Sequence, residues 1–416
     1  MTDRAVEEGA TARLGHITGD LRVGRKATVL AESGGKVTVS GTARFEGPVT
    51  IACDLECGML RVTGRGFGPG PAHGDVEVRG SLTVHGGMEI DAAAEVSGEI
   101  SAERVDIGGH LESKSVTSKM VRVGGHMKTR GALKAEDVDV GGHMTVDDQI
   151  DVASLRVGGH ADIGGGSVRG EVRVRGHLKT RGRLSYGDLK VFGHMTLPGG
   201  SSGGRLDALG KVEFEGDASC EVLEVNGVVS GRGNLGADSV KVNGRLDVEG
   251  SLKVGGKLEV FGSAESKKEV ECDALVAAGR ASANRVVVVG RAEVGGQVWT
   301  SGGLRAKEVV VGSGSRVDGP IIAETVEVGA GTTSSAWAAL SSLSNLGRMT
   351  RVDDVYGKDV RIDRYSRAGR VFGETVRMQG GSMADEVTYT KEADISEGVH
   401  LEKPPRKVDR LPDAQV

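Results

Sequence analysis

Along most of this chain, apolar residues alternate with charged ones in short bursts, and each burst ends on glycine. The clearest lie between residues 105 and 195: VDIGGHL, VRVGGHM, VDVGGHM, LRVGGHA, VRVRGHL and LKVFGHM. Their apolar pairs are Val105/Ile107, Val121/Val123, Val138/Val140, Leu155/Val157, Val172/Val174 and Leu189/Val191, and the same form returns at Leu223/Val225, Val240/Val242 and Leu258/Val260. The residues between them run Asp106, Arg122, Asp139, Arg156, Arg173, Lys190, Glu224, Lys241 and Glu259. Alternation with a period of two predicts a strand with one buried face.

The bursts recur on a fixed period. His110, His126, His143, His160, His177 and His194 follow one another at steps of 16, 17, 17, 17 and 17 residues. The histidines then stop, but glycine keeps the frame at Gly210, Gly227, Gly244, Gly262, Gly279, Gly296, Gly312 and Gly329. Backwards, the phase skips three turns and is picked up again at Gly58, Gly41 and Gly24. From Gly24 to Gly329 there are 305 residues in 18 steps, an average of 16.9. Weaker Val-x-Val strands, as at Val212 and Val254, fall near two thirds and four thirds of a period from the main column. That offset predicts three faces per turn.

A repeat of this length means a solenoid. A helical solenoid is excluded because no 3.6-residue period appears, and a propeller needs a repeat of roughly 40 residues. The expectation is an all-β chain: a single long three-sided parallel β-helix of about 21–23 turns, on the order of 100 Å long at the ~4.8 Å spacing of strands. Left-handed hexapeptide helices keep a strict period of about 18, so the looser frame favours the right-handed form. Glycine is read as the corner residue, chosen for backbone freedom.

Departures from the period mark the expected boundaries. Residues 1–15 read as a disordered N-terminal tail, 16–331 as β-helix and 350–402 as further β-helix rungs. The loop GFGPGPAHGD (66–75) should bulge from the helix. Residues 332–349 break the pattern: Trp337, Leu340, Leu343 and Leu346 recur every three positions among Ser and Ala, predicting a helical or loop interruption. Its apolar stripe is expected to dock on the helix flank, with partner binding through Trp337, Leu340 and Leu343 as the alternative. Residues 403–416, polar and proline-containing, read as a disordered tail.

Composition narrows the function. The 416 residues include 68 glycines and 8 prolines, and aromatic residues make up 3%. A long chain so poor in aromatics must have a narrow interior of Val, Leu, Ile and Ala. Lys plus Arg number 53 against 58 Asp plus Glu, a net charge of −5. No basic excess exists to neutralise phosphates, so nucleic acid is not an expected partner. The opening residues contain no apolar h-region and no run approaches a membrane span, so the protein is expected to be cytoplasmic, without direct membrane association. Cys53, Cys57, Cys220 and Cys272 are too scattered for a disulfide framework or a thiolate metal site.

The one constellation that could carry chemistry is the histidine column. Stacked imidazoles can ligate metal, and His110, His126, His143, His160, His177 and His194 are the candidate ligands. Against this, later turns place Lys211, Val228, Arg245, Ser263 and Arg280 at the same position, and no carboxylate or thiolate joins the column at fixed spacing. No metal or other cofactor is therefore expected, although acid should weaken the column through repulsion between neighbouring imidazoliums. GRGNLG (231–236) satisfies G-x-G-x-x-G but is followed by a strand, not the helix that dinucleotide binding needs. GSSGG (200–204) fits G-x-S-x-G without a nucleophile elbow around it. No catalytic residue is expected. The charged column reads as a solvated face, with a lateral filament contact as the alternative.

The opening GHITGDLRVGRKATV (15–29), the segment VSGEISAERVDIGGHL (96–111) and the repeated Val-x-Val-x-Gly rungs resemble the bactofilins, polymer-forming cytoskeletal β-helix proteins. The resemblance covers roughly residues 15–402 as a style of rung. It implies a structural, nucleotide-independent filament subunit or scaffold assembling end to end with copies of itself, and flanking tails. The chain departs from that family in its length and in lacking a short apolar membrane-targeting stretch. The rival reading is a non-polymerising β-helical binding platform that recruits a protein partner through the histidine face, the tails or residues 332–349.

Overall fold

The structure is a computed structural model, and it describes residues 2–63, 76–330 and 348–414. Among these the fold is all-β: 45 strands and no helix. The chain divides into two compact units, Met1–Gly203 and Gly204–Val416. Each is a β-solenoid in which strands pair in parallel with strands about one repeat further along.

In the first unit the turns stack in close register. Val121 lies opposite Val138, Val138 opposite Leu155, and Leu155 opposite Val172. One turn is made of three straight segments, at residues 126–129, 133–135 and 137–140, each paired with its equivalent in the next turn. Their inward side chains, Met127, Thr129, Leu133, Ala135, Val138 and Val140, are all buried. The alternation in the sequence is therefore the inside–outside alternation of the wall. All nine apolar pairs named above point inward, none of their side chains more than 2% exposed.

Two interruptions test how firmly the frame is held. Leu55 pairs with Leu82, a step of 27 that accommodates the expected 66–75 bulge, which lies outside the described residues. In the second unit Thr325 pairs directly with Asp359, and Val326 with Val360, so the turns on either side of residues 331–347 stack on each other. Residues 331–347, with Trp337, Leu340 and Leu343, also lie outside the described residues.

Three expectations are corrected. Arg4–Val6 and Thr11–Leu14 are strands paired with Leu21–Val23 and Thr28–Ala31, so the solenoid already runs through the expected 1–15 tail. At the other end Arg406–Lys407 pairs with Thr388–Tyr389, so residues 403–416 are not simply a tail. Both segments are too short and too charged to announce themselves as strands, and only an existing rung to pair with makes them so. Finally, Gly41 and Gly58 stack at a different corner from Gly109: Gly58 follows Cys57, which pairs through Val84 to Ala102, well before Gly109 in the turn. The bulge shifts the count.

Candidate functional site

The histidine column is built by the glycine that precedes each ring. The amide of His143 donates to the carbonyl of Gly125 at 2.9 Å, His160 to Gly142 at 2.9 Å, and His177 to Gly159 at 2.9 Å. These bonds start a new face at a fixed height, so each imidazole leaves the wall directly above the last. The rings form a ladder. Centroid separations from His126 to His194 run 4.9, 5.7, 5.2 and 4.5 Å, with interplanar angles of 8°, 30°, 24° and 9°. His110 is tilted by 41° at 6.2 Å from His126. All six of the predicted residues are thus brought together, and five of them are solvent-exposed.

Stacking arranges the rings badly for ligation. The nitrogen lone pairs lie in the ring planes, so parallel rings direct them side by side rather than onto one point. Among the described residues no group of three or more His, Cys, Asp and Glu is placed to hold a metal ion. The residues two positions on, which share the face, are Glu112, Lys128, Thr145, Asp162, Lys179 and Thr196. Glu112 accepts from Arg130 at 2.7 Å; this bond, with the nearby charges of Lys128, Arg130 and His110, holds its carboxyl below the ordinary range. Arg181 joins Asp162 at 2.9 Å to Asp147 at 3.1 Å, tying adjacent turns.

The cysteines are core residues. Cys57 and Cys272 are at most 1% exposed, and Cys53 and Cys220 are 8% exposed. Burial pushes the thiols of Cys57, Cys220 and Cys272 up to about 12.

A recess of about 380 Å³ opens in the second unit where Gly231 replaces the side chains that neighbouring turns supply as Phe214 and Val248. Its charges are already engaged: Arg245 with Asp247 at 2.7 Å and Lys267 with Glu249 at 2.9 Å. The two rejected motifs behave as expected. Gly231 ends the strand Val228–Gly231, and residues 235–242 form the next strand, with no helix terminus.

Sequence reasoning passed over the strand edges. Among the described residues, Arg4–Val6, Thr11–Leu14 and His16–Ile17 each pair on one side only. In the second unit, Glu392–Ile395 pairs only with Thr375–Met378, and His400–Leu401 and Arg406–Lys407 only with the strand Met383–Ile395. Ile395 and Leu401 are half-buried, unlike inward residues of interior turns. Also unforeseen are side-chain ladders at corners: Asp217 accepts the amide of Asn234 at 2.6 Å, and Asn234 accepts that of Ser251 at 2.9 Å. One such residue per turn is too sparse a signal to read from sequence.

Among the described residues no helix is long and apolar enough to cross a membrane. No protein-family model, curated protein or solved structure matches this chain.

Proposed function

We propose that this protein is a structural, non-catalytic subunit of a cytoplasmic filament or scaffold, growing without nucleotide by stacking of solenoid ends, as its resemblance to the bactofilins implies. The observation that carries the reading is the one-sided pairing of Arg4–Val6 and Thr11–Leu14 in one unit and of Glu392–Ile395 in the other. A strand edge offers a row of free N–H and C=O groups, and another parallel strand satisfies them at no cost in new side-chain chemistry. At Arg4–Val6 the outer groups belong to Ala5, because the amide of Arg4 and the carbonyl of Val6 are already spent on the next turn. Ile395 and Leu401 add apolar surface that a stacked copy would cover.

Proline at Ala5 or at Ala393 removes an outward donor and places a ring in the path of an incoming rung. Each variant is expected to keep its strand content and cooperative unfolding while filaments disappear from negative-stain micrographs. A wild-type protein that stays monomeric at high concentration, or proline variants that polymerise like wild type, would overturn the proposal in favour of a monomeric binding platform.

A further inference from the structure

One face of the first unit carries a charge order that is its own complement when reversed. The column runs Glu89, Asp106, Arg122, Asp139, Arg156 and Arg173, each residue directly opposite the next in the parallel ladder. In sign this reads minus, minus, plus, minus, plus, plus. Turned end for end, the plus positions fall on minus positions throughout: Glu89 on Arg173, Asp106 on Arg156 and Arg122 on Asp139.

We infer that this face pairs with the same face of a second copy, the two solenoid axes antiparallel, with a two-fold axis along the strand direction between Arg122 and Asp139. Such an isologous contact brings each residue of the column against one of opposite charge, six ion pairs in all by symmetry. Parallel alignment in the same register would instead set every charge against its like.

The flanking columns fit the same arrangement. Two residues later on the strands lie Gly108, Gly124, Gly141 and Gly158, all exposed, so a bare strip of backbone runs beside the charges and lets two walls approach. Two residues earlier lie Gly87, Arg104, Met120, Asp137, Ser154 and Glu171, aligned by the same ladder. Reversal matches Gly87 with Glu171, Arg104 with Ser154 and Met120 with Asp137, and no like charges meet.

The centre of the face is also free to engage a partner. Arg122, Asp139 and Arg156 are exposed and form no ion pair within the described chain. Charges towards the ends are partly committed: Glu89 to Arg61 at 2.7 Å, Asp106 to Arg104 at 2.5 Å and Arg173 to Glu171 at 2.8 Å. Six rungs at ~4.8 Å and five residues at ~3.3 Å give on the order of 500 Å² per copy, the low end for a specific interface. A single contact is therefore weak and salt-sensitive. Repeated along a polymer, many such contacts act together and bundle filaments side by side.

The test uses the full-length chain and two variants, Arg122→Glu and Asp139→Arg. Each alone sets like charges together across the two-fold and is expected to weaken lateral association at low salt at least ~10-fold. Mixed one to one, the variants are complementary again and should associate as wild type does. As a positional check, Arg122→Cys and Asp139→Cys proteins should form a disulfide-linked dimer only when mixed. Equal association of the single variants and wild type, or a mixture that neither associates nor cross-links, overturns the inference. End stacking does not involve these positions, so filaments that lose only their bundling, or lateral pairs in protein that forms no filaments, separate this contact from the polymer reading.

Discussion

The carbonyl oxygen of Gly125 lies 2.1 Å from where a Cβ on Gly142 would stand, and that same oxygen accepts the amide of His143 at 2.9 Å. The relationship repeats up the wall: Gly159 over Gly142 and Gly176 over Gly159 leave gaps of 2.1 and 2.0 Å, as do Gly244 over Gly227 and Gly279 over Gly262 at 2.1 Å. None of these glycines has a positive φ. Corner glycine is thus demanded here by the close approach of the turn beneath, not by a left-handed backbone. This corrects the expectation of conformational freedom.

The paired glycines of the repeat should therefore respond unequally to substitution. At Gly141 the nearest atom to a new Cβ is 3.6 Å away, ordinary contact, whereas at Gly142 backbone atoms intrude. Gly142→Ala is expected to cost about 1–3 kcal/mol or more, and Gly141→Ala to change stability by less than about 0.5 kcal/mol. Denaturant midpoints of the two variants give the comparison; equal losses would show that the close contact relaxes freely. Arg175 and Phe192 already stand at the position equivalent to Gly141 in later turns.

The histidine ladder is expected to be modestly stabilising and sensitive to acid. His143→Ala removes two ring contacts, at 4.9 and 5.7 Å, and should cost about 0.5–1.5 kcal/mol. Charging consecutive rings sets like charges 4.5 to 6.2 Å apart. On that face Glu112 and Asp162 oppose the repulsion and Lys128 and Lys179 add to it. Hydrogen exchange of amides 126–194 should lose protection between about pH 7.5 and about pH 5.5, where imidazole gains its proton. Unchanged protection would count against the ladder as an acid-sensitive element.

Thiol chemistry should report on global unfolding alone. With their thiols pushed up to about 12 from 9.0, Cys57, Cys220 and Cys272 hold about 1000-fold less thiolate than free cysteine at neutral pH. Disulfide reagents should label them only at the rate of unfolding. The sign of the pH effect follows: folded values lie above unfolded ones, so this contribution is intact below about pH 9 and is lost as pH rises towards 12. Rapid labelling of native protein would contradict the buried placement.

Asp354 links two turns near the C-terminal end of the described chain. Its Oδ1 accepts the Arg370 amide at 2.9 Å and its Oδ2 accepts Arg370 Nε at 3.0 Å. Burial acts to raise the carboxyl's pKa, but the hydrogen bonds and charge of Arg370 outweigh it and hold it below the ordinary value. A depressed value means stability present above the unfolded pKa and lost as pH falls through the folded one. Asp354→Ala should cost about 1–3 kcal/mol at neutral pH, and the deficit should shrink in acid. A deficit independent of pH would assign the loss to packing instead.

The strand period, the inward pairs and the histidine alignment are all legible in the residues alone, because a parallel stack makes like residues recur at one interval and the interior admits only apolar side chains. The limits lie where local sequence is silent. Arg4–Val6 and Arg406–Lys407 are strands only because a turn beside them offers hydrogen bonds. Gly41 and Gly58 fall into the wrong column because a bulge changes the count without changing the pattern.

By itself, then, the sequence determined the fold class and which side of each strand faces inward, since burial of apolar surface is set by residue type and period. The tertiary structure alone decided why one glycine of each pair is indispensable and whether the imidazoles stack or converge. It also decided which charges stand opposite one another from turn to turn. Those depend on the height and angle at which one turn settles on the next, distances of a few ångströms that a period of 17 residues does not contain.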